Sequence, residues 1–199
     1  MLGVRPPSMC LMPHALSLSV AVAGWIIAMP PLAWAALRAR RDCRQRALLQ
    51  HAWLGAIVAI ALLWSLPMQA PAGLGIGLLG SAFFALLFGR ALAMLGLTAA
   101  AALATLLEGG PWLDLGMASV LLALLPAWLA TALQRRIERW LPHNVFVFII
   151  GNGLFVTLAT TVTASSAVLA VTALAHPAPQ QLLADHMAYA LLLAWGEAL

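Results

Sequence analysis

The stretch "GLLGSAFFALLFGRALAMLGLTAAAALATLL", Gly77 to Leu107, contains one charged side chain, Arg90. On both sides of it the chain is mostly Leu, Ala, Gly and Phe. A transmembrane β-strand alternates apolar and polar residues over about ten positions, and nothing here alternates. The runs therefore read as helices, from about Ala72 to Phe88 and from about Ala91 to Leu107, with Arg90 marking a tight turn.

The rest of the chain has the same character. Of its 199 residues, 64% are hydrophobic and 8% charged, where a soluble domain carries about 25% charged residues. A water-soluble fold cannot hide this much apolar surface, so the bilayer is the solvent. The expected fold class is all-α: a polytopic integral membrane helical bundle with about seven transmembrane segments, in a single membrane domain over 1–199. The other segments run from about His14 to Leu37, Ala47 to Leu66, Leu115 to Leu133, Val145 to Ala175 and Met187 to Leu199. The last is short for a span of about 20 residues. Residues 1–13 read as an extramembrane leader.

Arginine sorts the loops. Arg38, Arg40, Arg41, Arg44 and Arg46 crowd a basic loop at 38–46, and Arg135, Arg136 and Arg139 lie in or beside another at 134–144. Alternating crossings put these loops and Arg90 on one side, which the positive-inside rule makes the cytoplasm. The N-terminus is then outside and the C-terminus cytoplasmic, in a bacterial inner membrane. Glu108, Asp114 and Asp185 fall in turns on the outer side. The first segment carries its strong positive flank after it, the reverse of a secretory leader. Cys10 and Cys43 fall on opposite sides and form no disulfide within one chain. The basic loops are topology signals; they lack the interleaved aromatics of a nucleic-acid platform.

Polar groups at membrane depth are the ones to question, since a charge at the bilayer centre costs about 3 kcal/mol. Glu197 reads as an interfacial carboxylate, or as one facing the bundle along a path. Asn152, between Gly151 and Gly153, needs hydrogen bonds that a close neighbouring helix can supply. Gly77 and Gly80 belong to a small-residue run that lets backbones approach; a cavity lined by backbone is the other reading. Cys10, Met12 and His14 stand before the first segment, and Met, Cys and His suit Cu(I). His14, His176 and His186 map to the outer side, a set that could hold a borderline cation such as Zn, Ni or Cu. No two of them have ligand spacing on one helix. No HExxH, phosphate loop, nucleophile elbow or CxxC occurs, so an enzyme is not expected.

Four segments carry a family resemblance: "GIGLLGSAFFALLFG" (Gly75 to Gly89), "LDLGMASVLLALLP" (Leu113 to Pro126), "RRIERWLPHNVFVFIIGNGLF" (Arg135 to Phe155) and "WGEAL" (Trp195 to Leu199). The chain resembles the CbiM-like permease family, the substrate-binding membrane component of energy-coupling-factor cobalt/nickel importers, in its short proteobacterial form. The resemblance runs from about His51 onward. It implies a transition-metal ion as substrate, and an energy-coupling transmembrane partner with ATPase subunits. In the family the metal is held by a Met-His start, through amine, amide and imidazole, and by a His of a His-Leu-x-Gly segment. Here the chain begins Met1-Leu2, the segment's His position is Gly77, and the Asn of a Leu-Gly-x-Asn segment falls on Ala118. The resemblance thus implies the scaffold with a degenerate metal site. A start at Met12, with methionine removal, would leave Pro13-His14 and restore amine, amide and imidazole. Two other functions stand beside this one. The first is a non-transporting accessory or assembly subunit of a larger membrane complex that reuses the scaffold. The second is a copper-handling membrane protein.

Overall fold

The computed structural model describes residues 17–43, 47–65, 80–140 and 149–175, together with Ala188, Leu192 and Trp195. The described elements are all helical: α1 (Leu18–Cys43), α2 (Ala47–Trp64), α3 (Ser81–Glu108), α4 (Leu115–Ala118), a π-helix π1 (Ser119–Leu124), α5 (Leu125–Trp140), a second π-helix π2 (Ile149–Val156) and α6 (Thr157–Ala175). α3 is central and touches each of the others, while α1 lies across α4.

Side-chain size is distributed as the bilayer demands. Alanines fill the interior: Ala28, Ala61, Ala93, Ala100, Ala104 and Ala127 are fully buried. Large apolar side chains such as Ile26, Leu54, Phe83, Leu106, Trp128 and Phe155 point outward. In water this arrangement would waste hydrophobic burial. In lipid, helices gain nothing by hiding Leu from hydrocarbon, and associate instead through close backbone packing over small residues.

The stretch around Arg90 shows how the bundle is connected. Gly89, at φ 76° and ψ 169°, interrupts α3. That conformation is open essentially to glycine alone. A Cβ built on Gly96 would lie 2.6 Å from Phe84 Cζ, yet in a continuous helix those residues would stand about 18 Å apart. The chain therefore folds back at Gly89. The arm from Ser81 to Phe88 is only about 12 Å long and lies beside the longer arm that follows. α2 covers this hairpin: Trp53 Nε1 donates to the Leu92 carbonyl at 3.0 Å, and Ile60 lies against Gly80.

These features correct the expected span count. Among the described residues, four helices are long and apolar enough to cross a membrane, at Leu18–Arg40, Ser81–Leu107, Leu115–Arg139 and Gly153–Val171. The sequence had suggested about seven. The two segments expected on either side of Arg90 meet at the Gly89 fold-back, so Ser81–Leu107 is two arms rather than one straight span, and of the first segment only the arm from Ser81 to Phe88 is described. α2, 18 residues from Ala47 to Trp64, is about 27 Å long against a hydrocarbon core of about 30 Å. The expected last segment lies outside the described residues except at Ala188, Leu192 and Trp195. Both termini also lie outside them, so the expected sidedness finds no footing in the fold. α1 continues through Cys43 and α5 through Trp140. Arg38, Arg40, Arg135, Arg136 and Arg139 consequently stand on helical turns.

π1 has a local cause. Pro126 follows it and lacks an amide hydrogen, and its ring would crowd a carbonyl one turn back in a regular helix. The Leu125 amide instead donates to the Val120 carbonyl, five residues back. The wider turn relieves that crowding while the helix continues.

Candidate functional site

Most residues singled out from the sequence as ligands or coupling groups lie outside the described residues: Cys10, Met12, His14, Gly77, His176, His186 and Glu197. Asn152 falls within π2. Gly80 stands at the start of α3 with φ 86°. His51 is exposed on α2. Among the described residues no three His, Cys, Asp or Glu side chains gather as a metal site would require.

One segment, Leu113 to Pro126, is placed in detail. It meets α1 at a crossing where Gly24 and Gly116 let the two backbones and the Trp25 ring come close. A Cβ on Gly24 would lie 2.5 Å from the Met117 amide nitrogen, and one on Gly116 would lie 2.7 Å from that of Trp25. Ala118 sits one turn from the start of α4, buried, with its amide on the Asp114 carbonyl at 2.9 Å. Its side chain is a methyl group at the position where the Leu-Gly-x-Asn pattern would place an amide. Buried hydroxyls here and elsewhere in the bundle turn back into their own helices. Ser119 donates to the Leu115 carbonyl at 2.6 Å, Thr105 to Ala101 at 2.8 Å and Thr160 to Val156 at 2.6 Å. Their protons satisfy local carbonyls, so this region is built for close contact.

The other end of α1 is different. Trp34 and Arg38 on α1, Arg135 on α5, and Phe88 to Leu92 at the fold-back of α3 line a cavity of about 160 Å³. The Arg90 guanidinium carbon lies 4.5 Å from the centre of the Trp34 ring, and that of Arg38 lies 5.8 Å from it. The Arg90 Nε–H is buried and donates to no partner among the described residues. Arg38 and Arg135 both act on Arg90 as like charges. The nearest acid along α5, Glu138, accepts from Gln134 at 2.9 Å.

From the sequence alone, Arg38 and Arg135 read as topology signals and Arg90 as a turn marker, and nothing singles out Trp34. A lone arginine inside an otherwise apolar stretch was the available signal, because such residues seek a partner or a polar cavity.

The family model of the cobalt uptake substrate-specific transmembrane region, CbiM, matches residues 11–199. The chain belongs to the CbiM family. It is accordingly a multi-pass membrane protein of a transport family, not an enzyme. No curated protein and no solved structure matches the chain. Within the CbiM scaffold, the crossing of α1 and α4 coincides with the Leu-Gly segment, and the arginine cavity with the fold-back that ends the Gly77-containing segment.

Proposed function

We propose that this CbiM-family chain is the substrate-binding membrane component of an energy-coupled importer in a bacterial inner membrane. Its substrate is a transition-metal cation of the cobalt/nickel class. The observation that carries this reading is the family match over residues 11–199. The chain has no nucleotide-binding motif, so import needs ATPase subunits and a coupling transmembrane partner. The metal site is incomplete by the family's pattern, with Leu2, Gly77 and Ala118 where nitrogen-bearing ligands or an amide are expected. The match begins one residue before Met12. A mature chain opening on Pro13-His14 would supply an amine, an amide and an imidazole there. Cys10, Met12, His176 and His186 are further ligand candidates, and Asn152 and Glu197 are candidates for coupling.

Equilibrium dialysis of the full chain in detergent against Co²⁺ and Ni²⁺ tests this. One cation per chain, lost in His14→Ala, is the expected result. A second reading has its own support in Ala118: the buried methyl removes a polar group from the family's segment, as in a scaffold reused by a non-transporting accessory subunit. Absence of saturable binding up to millimolar cation, with co-purification in a larger complex lacking an ATPase, would favour that reading.

A further inference from the structure

Three guanidiniums from separate parts of the chain converge on one cavity, and no acidic side chain of described placement answers them. Like charges placed together repel, and a guanidinium nitrogen withdrawn from water without an acceptor is costly. Such an arrangement is stable when an anion occupies it. Trp34 strengthens the case by fixing geometry. A guanidinium stacked on an aromatic face keeps its edge N–H groups free for a planar pair of acceptor oxygens.

The position and rim narrow the anion. Arg38 and Arg135 lie near the ends of the spans Leu18–Arg40 and Leu115–Arg139, the level of lipid headgroups. The lining also includes Phe88, Ala91 and Leu92. Leu37 and Leu87, next in sequence to Arg38 and Phe88, are 68% and 58% exposed. An anion bound here would have Phe88, Ala91 and Leu92 beside it, with Leu37 and Leu87 exposed on the adjoining helix faces.

We propose that the cavity between Trp34, Arg38, Arg90 and Arg135 binds the phosphodiester of an anionic phospholipid, whose acyl chains lie along Leu37 and Leu87. The phosphate oxygens take charge-assisted hydrogen bonds from arginines that have no acidic partner of described placement, and the lipid ties α1, the α3 fold-back and α5 together. A zwitterionic lipid also carries a phosphate, but brings a cation toward three cations. Inorganic phosphate fits the charge but leaves the apolar rim unused.

Native mass spectrometry of the full chain, delipidated in detergent and titrated with phosphatidylglycerol or phosphatidylcholine, tests the proposal. Phosphatidylglycerol should be preferred at least about fivefold. Arg90→Gln and Arg135→Gln should each weaken its binding about fivefold. Arg136→Gln, an exposed change on α5 outside the cavity, should alter it less than about twofold. Arg135 is exposed, so its variant remains decisive if Arg90→Gln does not fold. Equal binding of the two lipids, or equal losses in Arg135→Gln and Arg136→Gln, would overturn the proposal and leave the cluster to an acidic protein segment. Displacement of the lipid by millimolar inorganic phosphate would overturn it in favour of the free anion.

Discussion

α1 meets its neighbours in two opposite ways. At Gly24 and Trp25 it touches α4 backbone to backbone, with no room for one added carbon. About 15 Å further along, at Trp34 and Arg38, it borders an open cavity ringed by positive charge. One helix thus has a dry contact set by missing side chains and a polar opening set by large charged ones. The contrast teaches that hydrophobicity does not distinguish packed from open regions in this bundle, because α1 is apolar through most of its membrane span. Side-chain volume and unpaired charge do.

The largest effect should come from breaking the crossing. Gly116→Leu puts a branched side chain into the Trp25 backbone and ring, and should destabilise the bundle by about 3 kcal/mol or prevent folding. Thermal unfolding in detergent reads this; an unchanged midpoint would show that the two helices are not in contact. Gly89→Ala tests the fold-back that forms one wall of the cavity. Alanine resists φ 76° with ψ 169°, at a cost of about 2 kcal/mol, so the midpoint should fall, but less than for Gly116→Leu.

Trp34→Leu removes the ring that holds Arg90 and Arg38, and should cost about 1 kcal/mol while leaving the crossing intact. Ser119→Ala is the control at the packed end. Its hydroxyl donates within its own helix, so stability should change by less than about 0.5 kcal/mol. A large loss there would mean that Ser119 bonds across the crossing, and would erase the contrast between the two ends.

Much of this was legible in the chain, for identifiable reasons. Helices follow from continuous apolar runs that no soluble or barrel fold accommodates. The turn beside Arg90 was readable because Gly-Arg punctuates the stretch, and it falls at Gly89. What composition could not reveal was how many runs cross. The arm from Ser81 to Phe88 is as apolar as the arm that follows, and only its fold-back against Gly96 shows that the two do not form one straight span. The arginine cavity was illegible for another reason. Arg38 and Arg135 each have a sufficient local explanation as interfacial charges, and nothing in their spacing indicates that they meet Arg90. The CbiM resemblance was readable from four segments and is matched by the family. The ligands that would make it a metal site, His14 foremost, stand outside the described residues.

On the proposed function, this CbiM-family chain binds a transition-metal cation as substrate despite Gly77 and Ala118. Equilibrium dialysis of the full chain against Co²⁺ and Ni²⁺, with His14→Ala alongside, tests it most directly. One saturably bound cation per chain, lost in the variant, is the expected result. No saturable binding up to millimolar cation, or full binding retained in His14→Ala with no other His, Cys or Met variant affecting it, would contradict it.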